Sequence, residues 1–154
     1  YLYCKGEKVM VQIYADKCPI SFNFNDLQFE YLRRYIAIKY NNHFGALYIE
    51  YYFQLLMNND TTDYQDKMVQ FVLEDPMRAK NFDIYAFLFN SSKNFKVSNM
   101  TCKKIYDLIG EYDALTICIH LPMFMGDKRS RFDDFKNLLL YCYEHRCKLR
   151  IKME

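Results

Sequence analysis

Residues 146–153, Arg-Cys-Lys-Leu-Arg-Ile-Lys-Met, alternate a cation with an apolar side chain at every step. Because successive side chains of a β-strand point to opposite faces, this pattern predicts a strand with one cationic and one apolar face. Such a strand belongs to a sheet that covers a core on one side and meets water or a partner on the other. The cationic face is predicted to carry Arg146, Lys148, Arg150 and Lys152, opposite Cys147, Leu149, Ile151 and Met153.

The first half of the chain predicts a hairpin followed by helices. Residues 8–15 alternate as a strand, residues 16–19 resemble a turn, and residues 20–24 return as a second strand. Asn25 is a typical N-cap before residues 26–40, whose apolar positions have helical spacing. Further helices are predicted over residues 44–57 and from Thr62, with Gln65 completing a capping box, to the stop at Asp75-Pro76.

The second half predicts alternating strands and helices. Residues 82–89 are apolar on both faces, as in a central strand, and residues 114–121 alternate like a half-buried strand. Helices are predicted over residues 100–109 and after Ser130, which forms a capping-box pattern with Asp133. This β-α-β-α-β order predicts parallel neighbours with right-handed crossovers.

Together these elements predict an α/β fold with an α+β tendency. Three of the four main strands alternate, which favours a mixed sheet of four to five strands with helices mainly on one face. A helix-rich insertion separates the two halves. We expect all 154 residues to form a single domain, and a chain that begins at Tyr1 is expected to be a piece of a longer protein.

Composition excludes several classes of protein. Hydrophobic residues make up 51% and charged residues 26%, which argues against disorder, and no apolar run is long enough to span a membrane. Most of the six cysteines fall within predicted elements, which favours reduced thiols in a cytoplasmic or nuclear protein. Three Asn-X-Ser/Thr triplets keep a secreted protein as the alternative, and abundant Asn, Lys, Ile and Tyr indicate AT-rich coding, as in a virus or a parasite.

The candidate binding residues are mainly cations. Aromatic rings beside cations on a sheet are typical of domains that hold single-stranded nucleic acid, whereas the simpler interpretation is an edge strand whose lysines prevent aggregation. A loop before the last predicted helix adds further cations that could hold a phosphate at the helix N-terminus. The predicted ligand-binding set is Tyr14, His120, Lys128, Arg129, Arg131, Arg146, Lys148, Arg150 and Lys152.

No metal, cofactor or catalytic set is predicted. Zinc sites place Cys and His ligands at short paired spacings, which are absent around Cys118, His120, Cys142, His145 and Cys147. Cys118 and His120, two apart on a predicted strand, would stand about 6.5–7 Å apart, too far for direct proton transfer.

Three functions are therefore carried forward. The first is a non-enzymatic interaction or assembly domain that binds a protein partner, or itself, through the open sheet face or its tyrosine-rich helices. The second is binding of single-stranded nucleic acid or a phosphate ligand through the C-terminal basic strand. The third is an enzyme whose site lies in the loops at residues 90–92 and 120–131.

Overall fold

The computed structural model describes residues 9–90, 92–126 and 130–154. The strands of these residues are β1 (Met10–Tyr14), β2 (Ser21–Asn25), β3 (Asn94–Val97) and β4 (Leu149–Met153). The helices are α1 (Asp26–Tyr40), α2 (Asn42–Leu56), α3 (Thr62–Leu73), α4 (Pro76–Ala79), α5 (Phe82–Phe89), α6 (Asn99–Leu108), α7 (Ala114–His120) and α8 (Phe132–Glu144), with a 3₁₀ turn at Pro122–Phe124.

The four strands form one sheet in the order β2-β1-β4-β3, and every neighbouring pair is antiparallel. This confirms the predicted α/β class, the four-stranded sheet and the helix-rich insertion, since α1 to α5 all lie between β2 and β3. The predicted parallel pairing is wrong, because two of the segments that would have supplied parallel strands are helices.

The two faces of the sheet differ as the terminal strand predicts. Val11, Ile13, Phe22 and Phe24 are buried on one face, together with Leu149 and Ile151 of β4. The alternate positions of the same strands are exposed or half-buried. The helices therefore cover one face, as predicted, and none of the described helices packs on the opposite face, which we call the open face.

The segment Phe82–Phe89 is a helix, α5, and the predicted central strand is wrong. Its buried residues are Ile84, Phe87 and Leu88, which follow the i, i+3, i+4 spacing of a helix face. A short run that is apolar throughout contains this spacing and strand alternation at once, so periodicity alone does not distinguish them.

The segment Ala114–His120 is also a helix, α7, and not the predicted strand. Asp113 caps it by accepting a hydrogen bond from the Leu115 amide (3.0 Å), and Ile117 and Leu121, four residues apart, are fully buried. The apparent alternation arose because Leu115 and Ile119 are apolar yet exposed. The strand β3 was not predicted from the sequence.

Capping explains where the other helices begin. Asn25 and Gln28 form a reciprocal capping box at α1, and Asn41 accepts from the amides of His43 and Phe44 at α2. The box predicted for Gln65 is wrong, because Thr61 precedes α3 without a side-chain cap bond. At α8, Ser130 Oγ accepts from the Phe132 amide rather than from the amide three residues on.

The core contains a cluster of phenylalanines between the sheet and α8. The ring centroid of Phe124 lies 5.5 Å from Phe22, 5.2 Å from Phe24 and 5.4 Å from Phe135. The Phe124 ring meets Phe22 and Phe24 edge to face, a geometry that adds to the burial energy of large rings. The aromatic cluster thus joins β2 to the C-terminal helix, although the two are far apart in sequence.

A buried polar group lies within this core on α1. The Arg33 side chain, 5% exposed, stacks 4.2 Å above the Phe29 ring and donates to the Leu88 carbonyl (2.9 Å). Glu30 lies 3.8 Å from Arg33 and accepts from the Tyr48 hydroxyl (2.6 Å). Burial raises the pKa of Glu30, and the Arg33 charge opposes this shift.

Candidate binding surfaces

The open face of the sheet presents its side chains in two well-defined rows. One row runs Asn23, Gln12, Lys152, Asn94 across the four strands, and the next runs Ser21, Tyr14, Arg150, Lys96. The rows are uncharged on β2 and β1 and carry the cations on β4 and β3. The face is therefore divided into a neutral half on β2 and β1 and a basic half on β4 and β3. We call the whole face, with both halves, the basic sheet face.

The structure brings together most of the cations predicted from the terminal strand. Arg150 and Lys152 project from β4 on the open face, Lys148 is exposed just before the strand, and Tyr14 pairs directly with Arg150. The prediction that Arg146 belongs to this strand is wrong. Arg146 lies outside β4, in the turn after α8, with a left-handed φ of 51°. The alternation of cationic and apolar residues in the sequence continues through this turn by coincidence.

The sequence prediction missed two members of this surface, Asn94 and Lys96. Both belong to β3, where Lys96 pairs with Arg150 and Asn94 with Lys152. They line a shallow depression of about 160 Å³ together with Tyr14, Arg150 and Lys152. The only sequence signal for this strand is the polar–apolar alternation of Asn94-Phe95-Lys96-Val97. An alternation over four residues is too short to distinguish a strand from a loop.

Two of the cations already have carboxylate partners. Arg150 contacts Asp16 at 2.8 Å, and Lys152 lies 3.8 Å from Glu154. Among the residues that the structure describes, no carboxylate lies within 4.0 Å of the ammonium groups of Lys96 and Lys148. Counting only the described residues, the basic sheet face therefore carries more positive than negative charge.

Arg131, from the loop before α8, does not join this surface. Arg131 stacks 4.8 Å above the ring of Phe22, on the core side of the sheet, and contacts Asp134 at 3.3 Å. Lys128 and Arg129 lie outside the described residues. The prediction that Arg131 acts together with the terminal strand is not consistent with its position on the covered face.

A second surface is a groove of about 440 Å³ between α1, α2 and α7, which we call the helix groove. His120 lines this groove from the end of α7, so its predicted place on the open sheet face is wrong. The prediction failed because residues 114–120 form a helix and not a strand. A helix turns Thr116 and His120, which are four residues apart, to the same side. The remaining lining residues are Tyr31, Arg34, Tyr35, Ile38, Lys39, Ile49 and Leu121.

The helix groove is apolar with a cationic rim. Tyr35 and Ile49 contribute apolar walls, whereas Arg34 lies 5.0 Å from the Tyr31 ring and Lys39 lies 5.7 Å from the Tyr35 ring. No carboxylate is among its described lining residues. Burial raises the pKa of Tyr35 above its ordinary value of 10.

Exposed apolar residues also lie near the groove, on α7 and α2. Leu115 is 64% exposed and Ile119 is 62% exposed, one position away from the lining residues Thr116 and His120. On the α2 side, Ile49 and Phe53 stand four residues apart and are also exposed. Contiguous exposed apolar side chains are typical of sites that are covered by another molecule.

The cysteine and histidine residues that were considered as metal ligands do not all lie in one place. Cys118 of α7 contacts Met125, whereas Cys142 is buried in α8 and interacts with Cys102 and Cys147. Within residues 9–90, 92–126 and 130–154, no group of three or more Cys, His, Asp or Glu is arranged to hold a metal ion. No helix in the same part of the chain is long and apolar enough to cross a membrane.

Comparisons with protein-family models, with curated proteins and with solved structures found no match to this chain.

Proposed function

We propose that this domain is a non-enzymatic binding module that engages a protein partner through the helix groove. The observation that carries the proposal is the apolar groove of about 440 Å³ with Leu115 and Ile119 exposed beside it. Leaving these two side chains in water is unfavourable by about 25 cal/mol for each Å² of apolar surface, and a partner would remove that cost.

The chemistry of the groove describes the partner segment. Ile38, Ile49 and Tyr35 offer contact area for an apolar anchor, such as the hydrophobic side of a helix. Arg34 and Lys39 stand at the rim without a carboxylate among the described lining residues. A segment whose apolar anchors are flanked by Asp or Glu matches both properties.

The groove is favoured over the open sheet face for a protein partner because of its composition. The cores of protein interfaces are depleted in Lys and enriched in aromatic and aliphatic residues. The sheet face presents Lys96, Lys152 and amide side chains, whereas the groove presents tyrosine and isoleucine.

Capture from cells that express the native protein, with matched variants, tests the proposal. Ile119→Glu places a charge on the exposed surface of α7 next to the lining residue His120, whereas Leu73→Glu makes the same change at an exposed residue at the end of α3. A partner that uses the groove is recovered with the native sequence and with Leu73→Glu, but is lost with Ile119→Glu. Equal recovery by both variants would contradict the proposal.

Sedimentation velocity on the purified domain distinguishes a second copy from a different protein. If the groove mediates self-association, the native protein sediments as a dimer and Ile119→Glu as a monomer. Circular dichroism of both variants verifies that α7 remains folded, since Ile119 is exposed and its replacement leaves the core unchanged.

A further inference from the structure

We infer that the basic sheet face binds single-stranded nucleic acid, at a site separate from the helix groove. The cations of β4 and β3 would hold the phosphates, and the neutral half on β1 and β2 would contact the bases. The inference does not depend on the proposed protein partner, because no residue of one surface lines the other.

The spacing of the cations suits an extended phosphate chain. Lys148, Arg150 and Lys152 occupy alternate positions, so their side chains leave the backbone about 6.5–7 Å apart along one line. This is similar to the distance between successive phosphates in an extended single strand. Lys96 stands directly opposite Arg150, so two cations approach the same position from neighbouring strands.

The pairing of Lys96 with Arg150 is itself an indication of a ligand. Like charges directly opposite each other in a sheet are destabilising, and sequences normally avoid them. Asp16 compensates only Arg150, on the side away from β3, and no described carboxylate lies within 4.0 Å of Lys96. A phosphate in the depression between Lys96, Arg150 and Asn94 would neutralise this pair.

The neutral half of the face carries groups that bases use. Gln12 and Asn23 pair across β1 and β2, and amide side chains both donate to and accept from base edges. Tyr14, beside Arg150, offers a ring on which one base can stack. Phosphate contacts on the basic half and base contacts on the neutral half would give the bound nucleic acid a defined orientation on the sheet.

The shape of the face favours a single strand over a duplex. Reading a duplex requires an element that enters a groove, and the described part of the open face is a sheet without a helix upon it. Unpaired bases, by contrast, lie flat on sheets of this kind.

Fluorescence anisotropy with a labelled oligothymidylate measures the binding directly. The dissociation constant of the native domain should rise steeply with salt, because bound phosphates release counterions. Lys96→Ala should reduce the slope of log affinity against log salt by about 0.7, the value for one phosphate contact on a single strand. Lys67→Ala, an ion-paired surface lysine on α3, is the matched control and should leave the slope unchanged.

A second variant is expected to bind the oligonucleotide more tightly than the native domain. Asp16→Asn removes the carboxylate that competes for Arg150 without changing the size of the side chain. It should tighten oligothymidylate binding by roughly two- to fivefold at low salt, the range of one exposed ion pair. Loss of structure does not produce tighter binding, so this result supports the site even if Lys96→Ala is destabilised.

Three results would overturn the inference. They are the absence of oligothymidylate binding at low salt, equal affinities of Lys96→Ala and the native domain, and equal or tighter binding of a duplex or of heparin. The last result would identify the face as a general polyanion surface. None of them bears on the capture experiment, because Ile119 lies on α7 and not on the sheet.

Discussion

Replacing Gly45 with alanine tests the contact on which the helix groove is built. A Cβ at position 45 would lie 2.7 Å from the Ile38 Cα and 2.8 Å from the Ile38 Cγ1. Since one of these atoms is backbone, a change of side-chain rotamer cannot relieve the overlap. The helices α1 and α2 would have to separate, and this would move Ile38 away from Ile49 on the other side of the groove.

Two opposing effects decide the magnitude. Alanine in place of glycine inside a helix is favourable by about 0.5–1 kcal/mol, because it restricts the unfolded chain. Overpacking a close contact is unfavourable by about 1–3 kcal/mol. Because both contacts are shorter than 3.0 Å, the overpacking cost is expected in the upper part of its range, about 2–3 kcal/mol. We therefore expect Gly45→Ala to lower the free energy of unfolding by about 1–2.5 kcal/mol, which corresponds to a fall in Tm of roughly 2–10 °C for a chain of this size.

Urea unfolding followed by circular dichroism measures this difference, with Gly110→Ala as the control. A Cβ at Gly110 meets its nearest atoms at 3.4 Å, an ordinary contact, and neither glycine has a positive φ. The control should stay within about 0.5 kcal/mol of the native protein. A Gly45→Ala protein as stable as the native one would refute the close packing of α1 against α2 and, with it, the shape of the groove.

Three further predictions concern the buried polar group and α7. Tyr48→Phe leaves Glu30 without its hydroxyl donor and should lower the free energy of unfolding by about 1.5–3 kcal/mol in urea titrations, whereas Tyr141→Phe, at an exposed hydroxyl, should change it little. Burial holds the folded pKa of Glu30 above its ordinary value of 4.5, so the native protein loses stability as pH rises from 4.5 through that raised pKa. The stability of Glu30→Gln relative to the native protein should therefore increase over this window and then level off; a difference that is constant with pH would contradict an ionisable, buried Glu30. Asp113→Ala removes the cap on the Leu115 amide and should lower the free energy of unfolding by about 0.5–2 kcal/mol, an effect that is not expected if residues 114–121 form a strand.

The basic sheet face was partly predictable and the helix groove was not. Arg150 and Lys152 follow from the period of a single strand, which fixes their common face regardless of the rest of the fold. Lys96 joins them only because β3 pairs with β4 across more than fifty residues of chain. His120 was assigned to the wrong surface, since its position depends on whether α7 is a helix or a strand.

The sequence by itself determined the hairpin of β1 and β2, the helices with a clear apolar period or a local cap, and the two-faced character of β4. These features follow from interactions between residues close in sequence, which local patterns record. Tertiary structure decided the conformation of residues 82–89 and 114–120, where an apolar run satisfies either period and only burial selects one. It also decided the antiparallel order of the sheet and the partners of Arg33 and Lys96, because those contacts join segments far apart in the chain.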